Sequence, residues 1–521
     1  METKKSSVAK GAIVLLLAGL FCKFLGAFYR IPLSNILGAE GIGIYQLIFP
    51  IYSIFLILVS GGITTTLAKI IAELRAKNEE NKIFGYLKIA FVFTVILSFI
   101  IAFCFAFFAE NIAKIQGNFN AKLGYIAISV AIVFSSLITV YRGYFQGYEK
   151  MAPTAFSQMI EQVFKLILGL LLAKVFLKFG VDYGVFGALI GVSVCELFCL
   201  IFLFFLFHKE KKVKFEKTTV SKKEIKIFFK NLLPISLNSL LIPLISAIDS
   251  LLIINLLTTS GSSQVEATKM FGIYSGMVNS VVNFPTIFAV AVSVAILPTL
   301  AFEFKQKKDL SKISTSYKTI FFVVMPCFFV FLFFASNIIE ILFANSLSNY
   351  EFLLAKNLLV ISSVNIIFLS YLQFSTSVLQ AINRSYVCLL NLLLAAILKV
   401  GLTIYLTSSS LDILGACVAS VLCYLFASFL NLNYLTELNI NQSKSSYIKI
   451  AAISLTTCVL MFYVNKVFVK FLNNNISFVI TGIFGVLIYL FACLKLKVFS
   501  DDELDKFMFF KKSKINKNKI G

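Results

Sequence analysis

Residues 141–165 read YRGYFQGYEKMAPTAFSQMIEQVFK, a short polar link between two apolar runs. Polar side chains recur on the second run at spacings of three and four, which places them on one face of a helix. They are Gln158, Glu161, Gln162 and Lys165. Ionisable groups inside a membrane are costly and usually mark functional sites. This helix is therefore the first candidate for a site within a membrane.

The same layout returns in residues 373–399, which read QFSTSVLQAINRSYVCLLNLLLAAILK. The matched polar positions are Gln380, Arg384 and Lys399, opposite Gln146, Lys150 and Lys165. Two further matches are Gly-Ile-Tyr at 43–45 and 272–274, and GALIGVSVCELF (187–198) with GACVASVLCYLF (415–426). Matches in one order at nearly equal offsets indicate an internal duplication. A duplicated bundle with matched polar groups is typical of a transporter whose site lies between the repeats.

The composition is that of an integral membrane protein, because 59% of the 521 residues are hydrophobic and only 14% are charged. Apolar runs of about 20 residues can each span a bilayer as a helix. They predict an all-α fold with about fourteen transmembrane helices, near 11–30, 43–68, 84–109, 122–141, 155–177, 184–207, 228–256, 271–300, 317–336, 352–379, 385–407, 412–433, 448–469 and 476–495.

The duplication divides these helices into two parallel six-helix repeats and two additional helices. The predicted units are an N-terminal lobe with a basic linker (1–220), a C-terminal lobe (221–440), two extra helices (441–500) and a basic tail (501–521). Glycine and proline at the end of helix 1, at the entry to helix 2 and within helices 7 and 8 predict bent helices, which are tolerated where they line a cavity. Pro32 is expected to end or bend the first helix.

The net charge of +22 would suit a nucleic-acid partner, but its distribution favours a membrane topology. Most lysines and arginines fall on one side if both termini lie inside, as the positive-inside rule requires. We therefore predict a multi-pass protein of the cell membrane with cytoplasmic N- and C-termini and no nucleic-acid partner. The basic link 208–230 is expected to lie on the surface against anionic membrane lipids.

No motif of an enzyme or of an ATP-driven motor is present in the sequence. Cys195 and Cys199 form the one close cysteine pair, and without converging histidines or acidic residues they are better explained as small core residues than as a metal site. We expect no catalytic residue, metal, cofactor or disulfide. The single histidine, His208, is expected at the membrane interface.

Residues 26–52 (GAFYRIPLSNILGAEGIGIYQLIFPIY) and 142–162 (RGYFQGYEKMAPTAFSQMIEQ) resemble the stage V sporulation protein B group of polysaccharide transporters. That group belongs to the multidrug, oligosaccharidyl-lipid and polysaccharide flippase superfamily. The resemblance extends over essentially all the helices. It implies a V-shaped bundle of two lobes, a central cavity open to each side in turn, and a lipid-linked sugar such as lipid II as cargo. It also implies that Lys23 and Arg30 of helix 1 meet the pyrophosphate of the cargo.

A polyprenyl-pyrophosphate sugar cannot cross a bilayer unaided, because its polar groups would lose their water. We expect the cavity to bind it through cations and amides, namely Lys23, Arg30, Lys165, Lys399, Arg142, Gln158 and Gln162. Glu161 precedes Lys165 in the favourable order for a helical ion pair, which would be either structural or displaced by arriving phosphate. Lys399 could instead extend outward to the interface.

With no ATP motif, an ion gradient (H⁺ or Na⁺) or the membrane potential is the expected energy source. The acidic residues deep enough to carry the coupling ion are Glu161, Glu196 and Asp249. Two other functions stay open. An ion-coupled multidrug and toxin extrusion antiporter would share the fold but would need an acidic cavity, whereas the charges found within the helices are mostly basic. A non-transporting scaffold for envelope or spore-coat assembly would have little reason to keep buried charges.

Overall fold

The computed structural model describes residues 2–210, 221–305, 311–382, 384–436 and 444–499. These residues form helices joined by short turns, and no strand occurs among them, so the predicted all-α fold is confirmed. The predicted basic tail 501–521 lies outside the described residues, as does the middle of the predicted surface link, 211–220.

The helices of the N-terminal lobe pack mainly against one another. They are α1 (Glu2–Ser60), α2 (Ile63–Ala76), α3 (Ile83–Phe107), α4 (Ala109–Ile115), α5 (Ala121–Gly147), α6 (Met151–Phe176) and α7 (Val181–Glu210). Single 3-10 turns, Glu80–Lys82 and Leu177–Phe179, precede α3 and follow α6. The helix α8 (Lys222–Ser239) leads into the second lobe.

The C-terminal lobe has a similar internal packing. It contains α9 (Leu241–Thr259), α10 (Gln264–Phe271), α11 (Asn279–Lys305), α12 (Ser311–Phe333), α13 (Ala335–Phe343), α14 (Asn349–Ala381), α15 (Ser385–Thr407) and α16 (Asp412–Thr436). A π-helical segment, Gly272–Val278, joins α10 to α11, and a 3-10 turn, Ala344–Ser346, follows α13. The last helices, α17 (Lys444–Phe468) and α18 (Asn474–Lys495), pack on each other, and α17 also packs on α12.

The long helix α1 reverses direction at Gly38, whose backbone is not helical (φ 69°, ψ −177°). Tyr29 and Phe49 both lie against the Lys165 ammonium group, at 5.4 and 4.9 Å from their ring centres. A straight helix would separate these residues by roughly 30 Å. The positive φ suits glycine, which has no Cβ to clash. The first helix therefore does not end at Pro32, because it continues through Pro32 as far as Gly38.

Eleven helices of the described residues are long and apolar enough to cross a membrane, so the expected count of fourteen is not confirmed. Three of the expected spans are not separate members of this set. The second belongs to the continuous stretch Val14–Ala76, the fifth corresponds to α6, and the seventh overlaps a shorter apolar helix at Pro243–Thr259.

The two lobes meet in a close seam near the turn at Gly38, where the two Gly-Ile-Tyr motifs face each other. A Cβ added at Gly272 would lie 2.7 Å from the Gly43 nitrogen and would also clash with the Ala39 carbonyl oxygen. Three residues further on, Gln46 Nε2 donates a hydrogen bond of 2.7 Å to the Ser275 carbonyl oxygen. Both contacts join positions that the predicted repeat makes equivalent. This is the geometry of residues near a pseudo-twofold axis, and it supports the duplication, which remains a prediction.

Side-chain amides close the seam further. Asn118 Nδ2 donates to Thr268 Oγ1 at 2.7 Å, and Asn255 Nδ2 donates to the Ile115 carbonyl oxygen at 2.7 Å. Gln116 Nε2 reaches Ser250 Oγ at 3.2 Å, and Asn35 Nδ2 reaches the Leu342 carbonyl oxygen at 2.8 Å. Because these bonds run between the lobes, the structure is closed at this end of the bundle.

We expect Gly272→Ala to weaken the seam, because the added methyl group has no room and overpacking costs about 1–3 kcal/mol. The midpoint of thermal unfolding in detergent should fall. Gly401→Ala on α15 is the matched control, since nothing lies within 4 Å of a Cβ there. Equal midpoints for the two variants would contradict the close packing described here.

Candidate functional site

A cavity of about 770 Å³ lies between the lobes. Its walls come from α1 and α6 on one side and from α9, α11, α14, α15 and α16 on the other. The expectation that helices 1, 2, 7 and 8 line a cavity is therefore confirmed, and α14 supplies six further lining residues and α6 two. The volume is within the range of about 300–1,000 Å³ that is usual for ligand sites.

Three cationic side chains line this cavity, all from the N-terminal lobe: Lys23 and Arg30 of α1, and Lys165 of α6. Lys23 and Arg30 are two helical turns apart on one face, with Gly26 and Ala27 between them on the cavity wall. These small residues leave the space beside the cations open. No described residue that lines the cavity is acidic. The cavity wall is thus positive, without a carboxylate of its own.

Lys165 does not pair with Glu161, contrary to the expected helical ion pair. Its ammonium group lies instead over the rings of Phe49 and Tyr29, as cation–π contacts. The Glu161 carboxylate turns the other way, where Arg142 Nη2 donates to Glu161 Oε2 at 2.9 Å. The guanidinium fork of Arg142 gives Glu161 a partner from α5, and Lys165 is left free to face the cavity.

Arg142 therefore holds Glu161 in place and does not line the cavity. Its Nε donates to Ser157 Oγ at 2.9 Å, and its Nη2 also approaches Cys199 Sγ at 3.7 Å. Glu196 of α7 is 7% exposed and close enough to act electrostatically on the same guanidinium group. Two carboxylates thus share one arginine within the N-terminal lobe.

The two glutamines of α6 that were predicted to bind the cargo lie in different environments. Gln162 lines the central cavity and donates from Nε2 to Glu161 Oε1 at 3.2 Å, so it links the cavity to the Arg142 group. Gln158 is not among the lining residues, and its Oε1 is buried without a hydrogen-bond partner. Cys195 and Cys199 lie in the core of α7, as expected.

In the C-terminal lobe, Lys399 is paired with Asp249. Lys399 Nζ lies 2.7 Å from Asp249 Oδ2, and their side chains are 1% and 11% exposed. The alternative in which Lys399 extends outward is therefore wrong, because the nearby carboxylate holds it inside. Asp249 also lines a second chamber of about 230 Å³, and Arg30 and Tyr424 line both this chamber and the central cavity.

The wall opposite the cations is polar but neutral, and sequence reasoning largely missed it. It carries the amides and hydroxyls of Ser280, Asn283, Thr286, Gln373, Thr376, Ser377 and Gln380. Gln373 Oε1 is buried without a hydrogen-bond partner. A sequence signal for this wall existed, because residues 373, 376, 377 and 380 are spaced along one helical face. No described group of three or more histidine, cysteine or acidic residues is arranged to hold a metal ion.

Comparisons with known proteins agree with this architecture. Residues 8–302 match the family model described as polysaccharide biosynthesis protein. Stage V sporulation protein B of Bacillus subtilis (strain 168) is 27% identical over 429 residues, which cover 80% of this chain and 81% of that protein.

Two solved structures have the same fold. The lipid II flippase MurJ in an inward closed conformation superposes with a TM-score of 0.70 at 17% identity, covering 93% of this chain and 99% of that one. An inward-facing multidrug resistance MATE family transporter gives a TM-score of 0.67 at 13% identity, covering 82% and 98%. The chain is therefore a multi-pass membrane protein with the MurJ and MATE type of fold.

We expect Lys399→Met to destabilise the protein strongly, because it leaves the Asp249 carboxylate buried without its cation, at a cost of about 3–5 kcal/mol. The midpoint of thermal unfolding in detergent should fall, and Asp249→Asn added to Lys399→Met should restore much of it. Lys174→Met, at an exposed lysine of α6, is the control. A double variant as unstable as the single one would show that packing around Lys399, and not its charge, is what matters.

Proposed function

The chain belongs to the polysaccharide biosynthesis protein family, and from this premise we propose that it is a flippase. Its cargo would be a lipid-linked oligosaccharide, that is, a polyprenyl-pyrophosphate sugar such as lipid II or a related envelope precursor. The protein would carry the polar head group of this lipid across the cytoplasmic membrane, with its own N- and C-termini on the cytoplasmic side.

The observation that carries this proposal is the set of three cations, Lys23, Arg30 and Lys165, in a cavity with no acidic lining residue. No ion pair joins them to a carboxylate among the described residues. Buried charge without a partner is expensive, so such a site favours a ligand that brings the missing negative charge. Lysine and arginine bind phosphate oxygens through short, charge-assisted hydrogen bonds. A pyrophosphate meets both requirements.

The neutral wall of α11 and α14 supports the sugar part of the proposal. Hydroxyls of a glycan both donate and accept hydrogen bonds, and the amide and hydroxyl side chains of this wall can do the same. The unpartnered Oε1 of Gln373 offers one acceptor for a sugar hydroxyl. The head group would thus exchange its water for phosphate contacts on one wall and hydroxyl contacts on the other, while the lipid tail stays in the membrane.

Alternating access would require the seam near Gly38 to open. The hydrogen bonds named across it join neutral amides, hydroxyls and carbonyls, so breaking them leaves no unpaired charge. An ion gradient or the membrane potential would supply the energy. Among the acidic candidates, Glu161 and Glu196 suit ion coupling better than Asp249 does. Both lie near the guanidinium group of Arg142 and neither has an ammonium group of a described residue within hydrogen-bond distance, whereas Asp249 has one at 2.7 Å.

Flipping of fluorescent lipid II in proteoliposomes tests the cargo site. We expect Arg30→Ala and Lys165→Ala each to lower the flipping rate about tenfold or more, since a hydrogen bond to a charged group contributes about 1.5–3 kcal/mol. Lys174→Ala is the matched control, because Lys174 is an exposed lysine on the same helix as Lys165. Its rate should equal that of the unchanged protein.

Two outcomes of this assay would contradict the proposal. Unchanged flipping in the Arg30 and Lys165 variants, at unchanged protein stability, would remove the cationic cavity from the mechanism. No flipping of lipid II together with extrusion of cationic dyes by the unchanged protein would assign it to drug export.

The coupling site has a separate test. We expect Glu196→Gln to abolish any stimulation of flipping by a proton or sodium gradient, because it removes one of the two carboxylates that share Arg142. The neutralised pair Asp249→Asn/Lys399→Met should keep the stimulation. The opposite pattern, with the gradient effect lost only in the Asp249 and Lys399 variant, would move the coupling site to the C-terminal lobe.

A further inference from the structure

A second concave site lies on the outer surface of the N-terminal lobe, away from the central cavity. It is a groove of about 300 Å³ between α3, α5 and α7. Its main lining residues are Lys88 and Phe91 of α3, Tyr141 and Tyr144 of α5, and Phe207 and His208 of α7. None of the residues that line this groove lines the central cavity.

The walls of the groove are aromatic rings held against one another. Tyr141 meets Phe91 edge-on with ring centres 6.4 Å apart, and it meets Phe207 at 5.3 Å. Tyr144 packs on the other side of Phe207, at 4.8 Å. Edge-to-face pairs of this kind are favourable and restrict ring motion. The groove is therefore a preformed apolar slot, and Phe91 and Val92 on its wall are exposed at the protein surface.

Two polar groups interrupt this apolar lining. Lys88 is exposed, and no described residue forms a hydrogen bond or ion pair with its ammonium group. His208 Nδ1 lies 2.9 Å from the Phe204 carbonyl oxygen, and a carbonyl oxygen only accepts, so Nδ1 carries the proton. The other ring nitrogen, Nε2, is therefore an acceptor, and it makes no hydrogen bond with any described residue. Both groups are thus available to one external ligand.

Their position along the helices matches the level of lipid head groups. Lys88 is five residues from the start of α3, or roughly 8 Å at the helical rise, and His208 is two residues from the end of α7. These helix ends lie on the side that the charge distribution predicts to be cytoplasmic. Basic pockets between helices on that side are typical sites for anionic lipid head groups.

We propose that this groove binds one anionic phospholipid of the inner leaflet, with its phosphate at Lys88, a hydroxyl of its head group donating to Nε2 of His208, and the first part of an acyl chain among the rings of Phe91, Tyr141 and Phe207. The apolar walls accept the chain, and the cation supplies the charge complement of the phosphate. Because the groove and the central cavity share no lining residue, this site is independent of the proposed flippase cargo.

Native mass spectrometry of the full-length protein in detergent tests the site, with an equal mixture of phosphatidylglycerol and phosphatidylcholine as the probe. The unchanged protein should retain one phosphatidylglycerol in preference to phosphatidylcholine. Lys88→Ala should reduce this retention about fivefold, the usual effect of one cation near an anionic surface. Adding His208→Ala should reduce it further. Lys77→Ala is the matched control, because Lys77 is exposed at the same end of the bundle and does not line the groove.

A second variant distinguishes binding of the lipid in the groove from unspecific attraction of the lipid to the basic surface. Val92 lines the groove and is 47% exposed, so Val92→Trp should fill it without disturbing the core. Loss of retained phosphatidylglycerol in Val92→Trp, with all charges intact, is the expected result. Retention unchanged by Val92→Trp, or lowered equally by Lys77→Ala and Lys88→Ala, would overturn the proposal and leave only an unspecific attraction of anionic lipid to a basic surface. Equal retention of the two lipids by the unchanged protein would overturn it as well.

Discussion

The absence of water from the bilayer core governs the arrangement of charge in this molecule. A charged side chain there needs a partner, and the structure handles its buried charges in two ways. Arg142 with Glu161, and Lys399 with Asp249, are neutralised within the protein. Lys23, Arg30 and Lys165 face a shared cavity without a carboxylate in its lining. The two ion pairs neutralise charge within each lobe. The three cations of the cavity leave an excess of positive charge that an anionic ligand would balance.

The cavity depends in turn on how closely the two lobes approach. At Gly38 the chain reverses, so that both arms of α1 lie beside α6 and in contact with the second lobe. At Gly43 and Gly272 the backbones approach to a distance that no side chain would allow. This contact uses glycine and hydrogen bonds, so it seals one end without burying an ion pair between the lobes. A seal of that kind is compatible with repeated opening, because separating it exposes no unpaired charge.

Much of this organisation could be predicted from the sequence, because helix periodicity and the repeated motifs report local structure and order. The all-α fold, the cavity between repeats and the positions of Lys23, Arg30, Lys165 and Gln162 on its wall followed from spacing and resemblance. Partners of long side chains could not be predicted in the same way. Spacing favoured Glu161 with Lys165, but Arg142 comes from another helix, and only the packing of α5 on α6 brings it to Glu161. Gln373 was missed although residues 373, 376, 377 and 380 share one helical face, because that spacing does not show that the face lies opposite the cations.

Lys165 and Lys399 show how two similar repeats can form a cavity with unlike walls. The two lysines occupy matched positions in the predicted repeats, and each lies on a helix that packs against the first helix of its own lobe, α1 or α9. Residues 11–39 of α1 contain no acidic residue, whereas α9 carries Asp249. Lys165 lies over two aromatic rings and forms no ion pair with a described carboxylate, so it stays available, whereas Lys399 is neutralised. Asp249 thus neutralises the lysine that matches Lys165, and the polar side chains described on the wall of the cavity opposite Lys165 are all neutral. A head group with phosphate at one end and sugar at the other would then bind in a single orientation, which a symmetric cavity could not impose.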